Sequence, residues 1–306
     1  MNELTLTENN RMDAVIKAVL DTVGSPESKR AYKRALGDFI GWYSESQPGG
    51  LSKAAVNAYK NNLVDAGKSA ANINQRLSAI RKMAIEAADN GALDPTTAAA
   101  IGRVHGVKKQ GKRLGNWLTQ KQTEKLISAP DINTLVGKRD RAILSTAIMT
   151  GLRRDELANL TFDHIQQREG RWLIVDITGK GNRTRTVPMQ AYAKAAIDAW
   201  GSAAGIDSGY IFRGVNKGDQ LASESISSQA IYNTIKKYSR MIGIEIAPHD
   251  TRRTFAKLAH KGGCAIEQIS ISLGHASLKT TEIYLGVEQN LTQAPSDFIH
   301  LNLEPI

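Results

Sequence analysis

Six side chains scattered over the second half of the chain are the ones whose types suit chemistry on a charged substrate. They are Arg153 in TGLRRDEL, Lys180 in the GKGN turn, His249 and Arg252 in PHDTRRTF, His275 in LGHASLKTT, and Tyr284. Taken singly, each has an ordinary explanation: an exposed arginine, a polar turn lysine, a core tyrosine between Ile283 and Leu285. As a set they are cationic and neutral donors suited to a phosphodiester, which gains charge as it is attacked. Two guanidiniums can fork onto its non-bridging oxygens without a metal ion. A phenol, with an ordinary pKa near ~10, attacks at neutral pH only inside a positive field and beside a proton acceptor. Other chemistries lack their residues: no P-loop, no glycine fingerprint for a dinucleotide after a strand, and no Asp/Glu cluster for two metals.

The elements that must carry these residues are helical with one hairpin. Thr119 is placed to cap a helix over LTQKQTEKLISA, and KRDRAILSTAIMT keeps helical apolar spacing up to a break at Gly151. RWLIVDIT and RTVPM, joined by the GKGN turn, read as a β-hairpin, and helices return from about Ser228. The first hundred residues are helical throughout. Their apolar stripes are Met12, Val15, Ile16, Val19 and Leu20; Tyr32, Leu36, Phe39, Ile40 and Tyr43; Val56, Tyr59, Leu63 and Val64; and Ile73, Leu77, Ile80 and Met83. That predicts a four-helix unit beginning near Glu8, with Ser25 (followed by Pro26) and Ser52 as N-caps. The opposite faces carry Lys29, Arg30, Lys33 and Arg34, then Arg76, Arg81 and Lys82, candidate phosphate contacts.

Between the halves, Gly102 to Thr123 contains no acidic residue, and VHGVKKQGKRLGNWLT has three glycines and no helical period. It reads as a basic linker carrying Lys108, Lys109, Lys112 and Arg113. The 306 residues carry a net charge of +10, a balance suited to a polyanion, and their number favours two domains over one continuous core. No apolar run is long enough for a membrane span and no signal peptide is evident, so the expectation is a cytoplasmic protein. The single cysteine, Cys264, forms no internal disulfide, and no Cys/His spacing suits zinc.

Taken in order, TGLR, GKG, HxxR, LGH and a tyrosine nine residues after that histidine resemble the tyrosine recombinase (phage integrase) family, nearly end to end. The resemblance implies a mainly α fold. A SAM-like helical core-binding domain (1–106) and a basic linker (107–115) would precede an α-rich catalytic domain with a small β-sheet (116–306). It implies that Arg153 and Arg252 clamp the scissile phosphate and that Lys180 protonates the leaving 5′ oxygen from the hairpin tip. His249 assists proton transfer, and His275 donates a further hydrogen bond. Tyr284 forms a 3′-phosphotyrosine, and Glu156 holds the first arginine and the histidine in place. Arg183 joins the DNA-binding candidates. No cofactor, metal or ATP is implied, because the covalent ester conserves the phosphodiester's energy for rejoining. The implied partners are double-stranded DNA with short inverted-repeat core sites and three further copies of the chain in a tetramer. Accessory proteins, and exchange of the C-terminal tail between protomers, are compatible with it.

Two positions depart from the family's habit: Thr251 stands where an apolar residue usually precedes the second arginine, and Arg253 where histidine commonly follows. The pattern resembles the two-domain Xer and Cre type, with no arm-binding domain expected ahead of the first helix. A type IB topoisomerase, or a non-catalytic DNA-binding regulator, would share parts of the pattern; the helical N-terminal unit and the complete set favour the recombinase.

Replacing Lys108, Lys109, Lys112 and Arg113 together with Gln is expected to weaken binding to specific and random DNA by similar factors, since phosphate contacts carry little sequence information. In a salt titration the slope of log affinity against log salt should become shallower by roughly 0.9 for every phosphate that the variant no longer neutralises.

Overall fold

Burial of the four apolar stripes, helix against helix, builds the first half of the protein. The computed structural model describes residues 14–46, 49–108, 116–179 and 183–286. The chain divides into two units, Met1–Lys112 and Arg113–Ile306. In the first, α1 (residues 14–21) is followed by α2 (Pro26–Ser46), α3 (Lys53–Asp65), α4 (Ala70–Asp89) and α5 (Pro95–Gly102). Leu36, Phe39, Val56, Tyr59, Ile73, Leu77, Ile80 and Met83 are all buried in one cluster.

The starts of these helices are set by short polar side chains that accept otherwise orphaned backbone N–H groups. Ser25 accepts from Ser28, Ser52 from Ala55, and Ser69 from Asn72. α5, too short and alanine-rich to show a period, escapes the stripe pattern and makes a fifth helix among the unit's described residues. It begins at Asp94, whose carboxylate accepts the Thr97 amide at 2.8 Å, with Pro95 in the first turn. Val64 is also outside expectation, being 46% exposed; it lies one step around α3 from buried Leu63. Met12 and Glu8 lie outside the described residues.

In the second unit, α6 (Gln120–Ser128) and α7 (Leu135–Thr150) lead into α8 (Arg154–Ala158), and a short 3-10 turn at Phe162–His164 leads into the sheet. Thr119 caps α6 as expected, reciprocally with Gln122. α7 is buried nearly all round: Ala142, Ile143, Leu144, Ala147 and Ile148 pack in the core. Its buried hydroxyls, Ser145, Thr146 and Thr150, bond back to carbonyls one turn earlier. Its first turn is capped from far along the chain, Asp219 accepting the Leu135 and Val136 amides at 2.6 and 2.8 Å.

The sheet runs β1 (Ile165–Arg168), β2 (Arg171–Thr178) and β3 (Thr184–Met189), all antiparallel neighbours in chain order. β2 and β3 are the expected hairpin. Their register changes between Ile174↔Val187 and Ile177↔Arg185, so β2 holds one extra residue in a bulge where Asp176 has a positive φ of 55°. α9 (Ala191–Ala204) packs on α7, and its fully buried Trp200 donates to the Ile211 carbonyl at 2.7 Å. A two-stranded ribbon, β4 (Gly214–Val215) and β5 (Leu221–Ser223), leads to α10 (Ser228–Met241), α11 (Pro248–Lys261), α12 (Ile266–Leu273) and α13 (Leu278–Leu285). The last three share a small core of Ala256, Ile269, Leu273 and Leu285. The fold is mainly α with small antiparallel sheets, as the sequence predicts. No described helix is long and apolar enough to cross a membrane.

α7 ends at Gly151, whose φ of 61° is left-handed. A Cβ there would come within 2.8 Å of Phe255 and 2.9 Å of Leu273. Gly151→Ala therefore adds both backbone strain and overpacking, and is expected to cost about 1–3 kcal/mol. A lowered thermal midpoint in scanning calorimetry is the measurement.

Candidate active site

Two helix ends deliver the arginines. Beyond Gly151 the chain runs extended through Arg153, which stands at the N-cap of α8. One turn on, the buried Glu156 carboxylate turns back: Oε2 accepts the Arg153 amide at 2.7 Å and Oε1 accepts the Arg153 guanidinium at 2.8 Å. A third residue completes the clamp. Arg185, on β3, donates to both oxygens of Glu156 at 3.0 and 2.8 Å and, through Nε, to the Ser272 carbonyl at 2.8 Å. Burial alone would raise the Glu156 carboxyl, but the Arg185 and Arg153 hydrogen bonds outweigh it and hold the pKa at about 2. Gly179, the last described residue before the hairpin turn, lies over this clamp. A Cβ on it would stand 3.1 Å from the Arg153 guanidinium and 3.2 Å from Glu156.

Arg252 comes from α11 and is only 3% exposed. Its two terminal nitrogens donate to the carbonyls of Gly151 and Leu273, two of the five N–H groups a guanidinium offers. Burial, and then the charge of Arg153, lower it to about 10, which leaves it protonated at neutral pH. Thr251 fits its buried position because its hydroxyl donates to the Pro248 carbonyl at 2.7 Å.

The histidines and the tyrosine meet beside these arginines. His249 lies in the first turn of α11, whose entry is fixed by Asp250 accepting the Ala247 amide at 2.9 Å. The Tyr284 hydroxyl bonds to His249 Nε2 and lies 3.2 Å from its Nδ1. The two rings meet edge to face, and the His275 ring stands likewise against Tyr284, 5.0 Å between centroids. His275 follows Gly274, which ends α12 with a φ of 60°. Its Nδ1 pairs with the buried Thr281 hydroxyl at 2.8 Å, which fixes the ring. The Arg253 guanidinium sits 5.2 Å over the Tyr284 ring and is held by Asp250. Burial, followed by Arg253 and Arg252, lowers the pKa of His249. Burial, followed by Arg252 and Arg153, brings His275 to about 4. Both rings are thus neutral at pH 7, and His249 has a lone pair for the phenol proton.

Arg153, Glu156, His249, Arg252, His275 and Tyr284 accordingly converge from α8, α11, the end of α12 and α13. Lys180 lies outside the described residues. Arg185 is the member that the sequence reading passed over, although the alternation of Arg185 with buried Val187 and Met189 on β3 places it on the inward face. Tyr238 is removed from chemistry by burial, its hydroxyl donating to Asp140 at 3.1 Å. Among the described residues no three His, Cys, Asp or Glu gather as metal ligands.

The DNA-binding candidates divide. Arg30, Lys33, Arg34, Lys108 and Arg183 are exposed, and Lys29 and Lys82 partly so. Arg76, placed by the sequence on an outer basic face, is instead turned inward: it pairs with Asp38 at 2.7 Å and donates to the Tyr59 hydroxyl and to Asn72. Arg81 likewise donates to the Val104 carbonyl. Lys109, Lys112 and Arg113 lie outside the described residues.

The sequence profile of the phage integrase family matches residues 116–290, and that of the phage integrase N-terminal SAM-like domain matches 19–91. The tyrosine recombinase XerC of Thermodesulfovibrio yellowstonii is 28% identical over 275 residues, 86% of this chain and 87% of that protein. XerD of Pseudomonas putida is 32% identical over 204 residues, 64% of this chain and 63% of its own. Among solved structures, a lambda integrase (75–356) dimer bound to a COC′ core site superposes with a TM-score of 0.67 at 17% identity, covering 90% of this chain and 94% of that one. XerH recombinase bound to a palindromic difH substrate gives 0.66 at 18%, covering 85% and 76%.

Because the two histidines are held below their ordinary value of 6.5, the unfolded chain binds more protons than the folded one under mild acid. Stability present above that value is therefore lost as pH falls from 6.5 toward about 4, where His275 itself protonates. The loss tied to Glu156 comes lower, between 4.5 and about 2. Thermal midpoints recorded from neutral pH downward should begin to drop near 6.5, and His275→Asn should flatten that first fall.

Proposed function

Since this chain belongs to the phage integrase family, as a tyrosine recombinase of site-specific DNA recombination, we propose that Tyr284 is the nucleophile and that Arg153, Lys180, His249, Arg252 and His275 are its catalytic partners. The observation that carries the reading is the Tyr284 hydroxyl bonded to a neutral His249, with the Arg253 guanidinium over the phenol ring.

The step balances on these residues. As the phenol oxygen attacks phosphorus, its proton passes to His249. The P–O5′ bond breaks, and the leaving oxygen takes a proton from Lys180, giving a 3′-phosphotyrosine and a 5′-hydroxyl. Arg153 and Arg252 meet the charge that builds on the non-bridging oxygens, and His275 donates from Nε2. A 5′-hydroxyl of another strand reverses the step, so rejoining needs neither ATP nor a metal. Glu156 fixes Arg153. Its low pKa keeps it ionised, which a neutral partner would not match.

Double-stranded DNA with short inverted-repeat core sites is the proposed substrate, in the cytoplasm where such DNA lies. Residues 1–106 would form the core-binding domain, 107–115 the linker and 116–306 the catalytic domain. Exposed Arg30, Lys33, Arg34, Lys108 and Arg183, and partly exposed Lys29 and Lys82, would touch phosphates. Four copies would assemble on two DNA segments, with the C-terminal tail exchanged between them and accessory proteins available to set direction.

Tyr284→Phe removes one oxygen and no charge. It is expected to bind DNA as the wild type does and to form no covalent adduct with a nicked suicide duplex on a denaturing gel. A persisting adduct would place the nucleophile elsewhere.

A further inference from the structure

Arg185 belongs to one segment of the chain and its three hydrogen bonds reach two others. Its side chain is 7% exposed, and its partner Glu156 5%. From β3 it grips Glu156 of α8 with both terminal nitrogens and the Ser272 carbonyl with Nε. Arg252, from α11, joins the end of α7 to the same end of α12 through the carbonyls of Gly151 and Leu273. Gly274, next in line, approaches so closely that a Cβ would lie 3.0 Å from Arg185 Cδ. Directly after Gly274 come His275 and, across α13, Tyr284.

We propose that Arg185 is a positioning residue. It locks the carbonyl end of α12, and with it His275 and the tyrosine helix, onto the Arg153–Glu156 clamp at the foot of the Lys180 hairpin. The inference rests on the roles proposed above for Tyr284, His275 and Arg153. A guanidinium is required because one planar fork must satisfy a carboxylate and a carbonyl at once; an ammonium offers a point charge without that geometry. Without the fork the nucleophile and the clamp are held by separate segments, and a displacement of about 1 Å between them is enough to cost roughly 10²-fold in rate.

The test is single-turnover cleavage of the suicide duplex at saturating DNA, with rate constant and amplitude read separately, for Arg185→Met and Arg185→Lys. Both are expected to lower the rate constant by about 10²-fold while DNA affinity stays within about twofold. A substrate with a bridging 5′-phosphorothiolate, whose sulfur leaves without a proton, should restore Lys180→Ala and leave Arg185→Met slow. If both variants keep the wild-type rate constant and lose only amplitude and thermal midpoint, Arg185 merely stabilises the fold and the proposal fails. It fails as well if Arg185→Lys retains the full rate, since charge alone would then suffice. Rescue of Arg185→Met by the phosphorothiolate would assign its effect to Lys180 and overturn the path through α12. Tyr284→Phe run alongside separates the two levels: an adduct in that variant sinks the nucleophile assignment, whereas its absence beside normal Arg185 variants sinks only this inference.

Discussion

Crowding of like charge is the constraint on which this site depends. Arg153, Arg185, Arg252 and Arg253 are brought into one partly buried region, and guanidiniums removed from water repel one another strongly unless opposite charge or oriented dipoles intervene. Two carboxylates do part of that work: Glu156 is shared by Arg153 and Arg185, and Asp250 holds Arg253. Their number is too small to neutralise the cluster. A positive field therefore remains at the site, and after burial it is the next cause that lowers the pKa of both histidines.

Backbone carbonyls supply the rest. The acceptors of Arg252 and of Arg185 Nε are Gly151, Leu273 and Ser272, the carbonyl ends of α7 and α12. Each of these helices stops at a left-handed glycine, Gly151 or Gly274. A helix C-terminus carries partial negative charge and unpaired carbonyls, so it suits a buried cation. This gives a physical reason for glycine in both TGLR and LGH: the glycine ends the helix, offers its carbonyls to an arginine, and hands the next functional residue into the site.

Much of this was legible in the sequence because it is local. The N-caps Ser25, Ser52 and Thr119, the helix break at Gly151 and the hairpin follow from spacings of a few residues, and the family resemblance adds the reach from Glu156 to Arg153. Pairings across long sequence separations were not legible. Arg76 looked like surface because its helical face is polar, yet it is spent on Asp38 and Tyr59 of neighbouring helices. Asp219 caps α7 from 84 residues away, a pairing that no local spacing announces. Arg185 sat in phase with Val187 and Met189, which said that it pointed inward without saying what it would meet there.

The bulge in β2 shows how that last partner is selected. With unbroken register, the pairing Ile174↔Val187 would continue to set Asp176 opposite Arg185, on the same face of the hairpin. An acid there would compete with Glu156 for the guanidinium and draw it away from Arg153 and the end of α12. One inserted residue moves the register so that buried Ile177 stands opposite Arg185, while Asp176, in its left-handed conformation, is turned out to solvent. The strain of a non-glycine residue at positive φ, of order 1 kcal/mol or somewhat more, is offset by leaving Arg185 with one carboxylate to choose. The register of a two-strand ribbon thereby decides which acid the buried arginine holds, and so where the first arginine of the clamp is aimed.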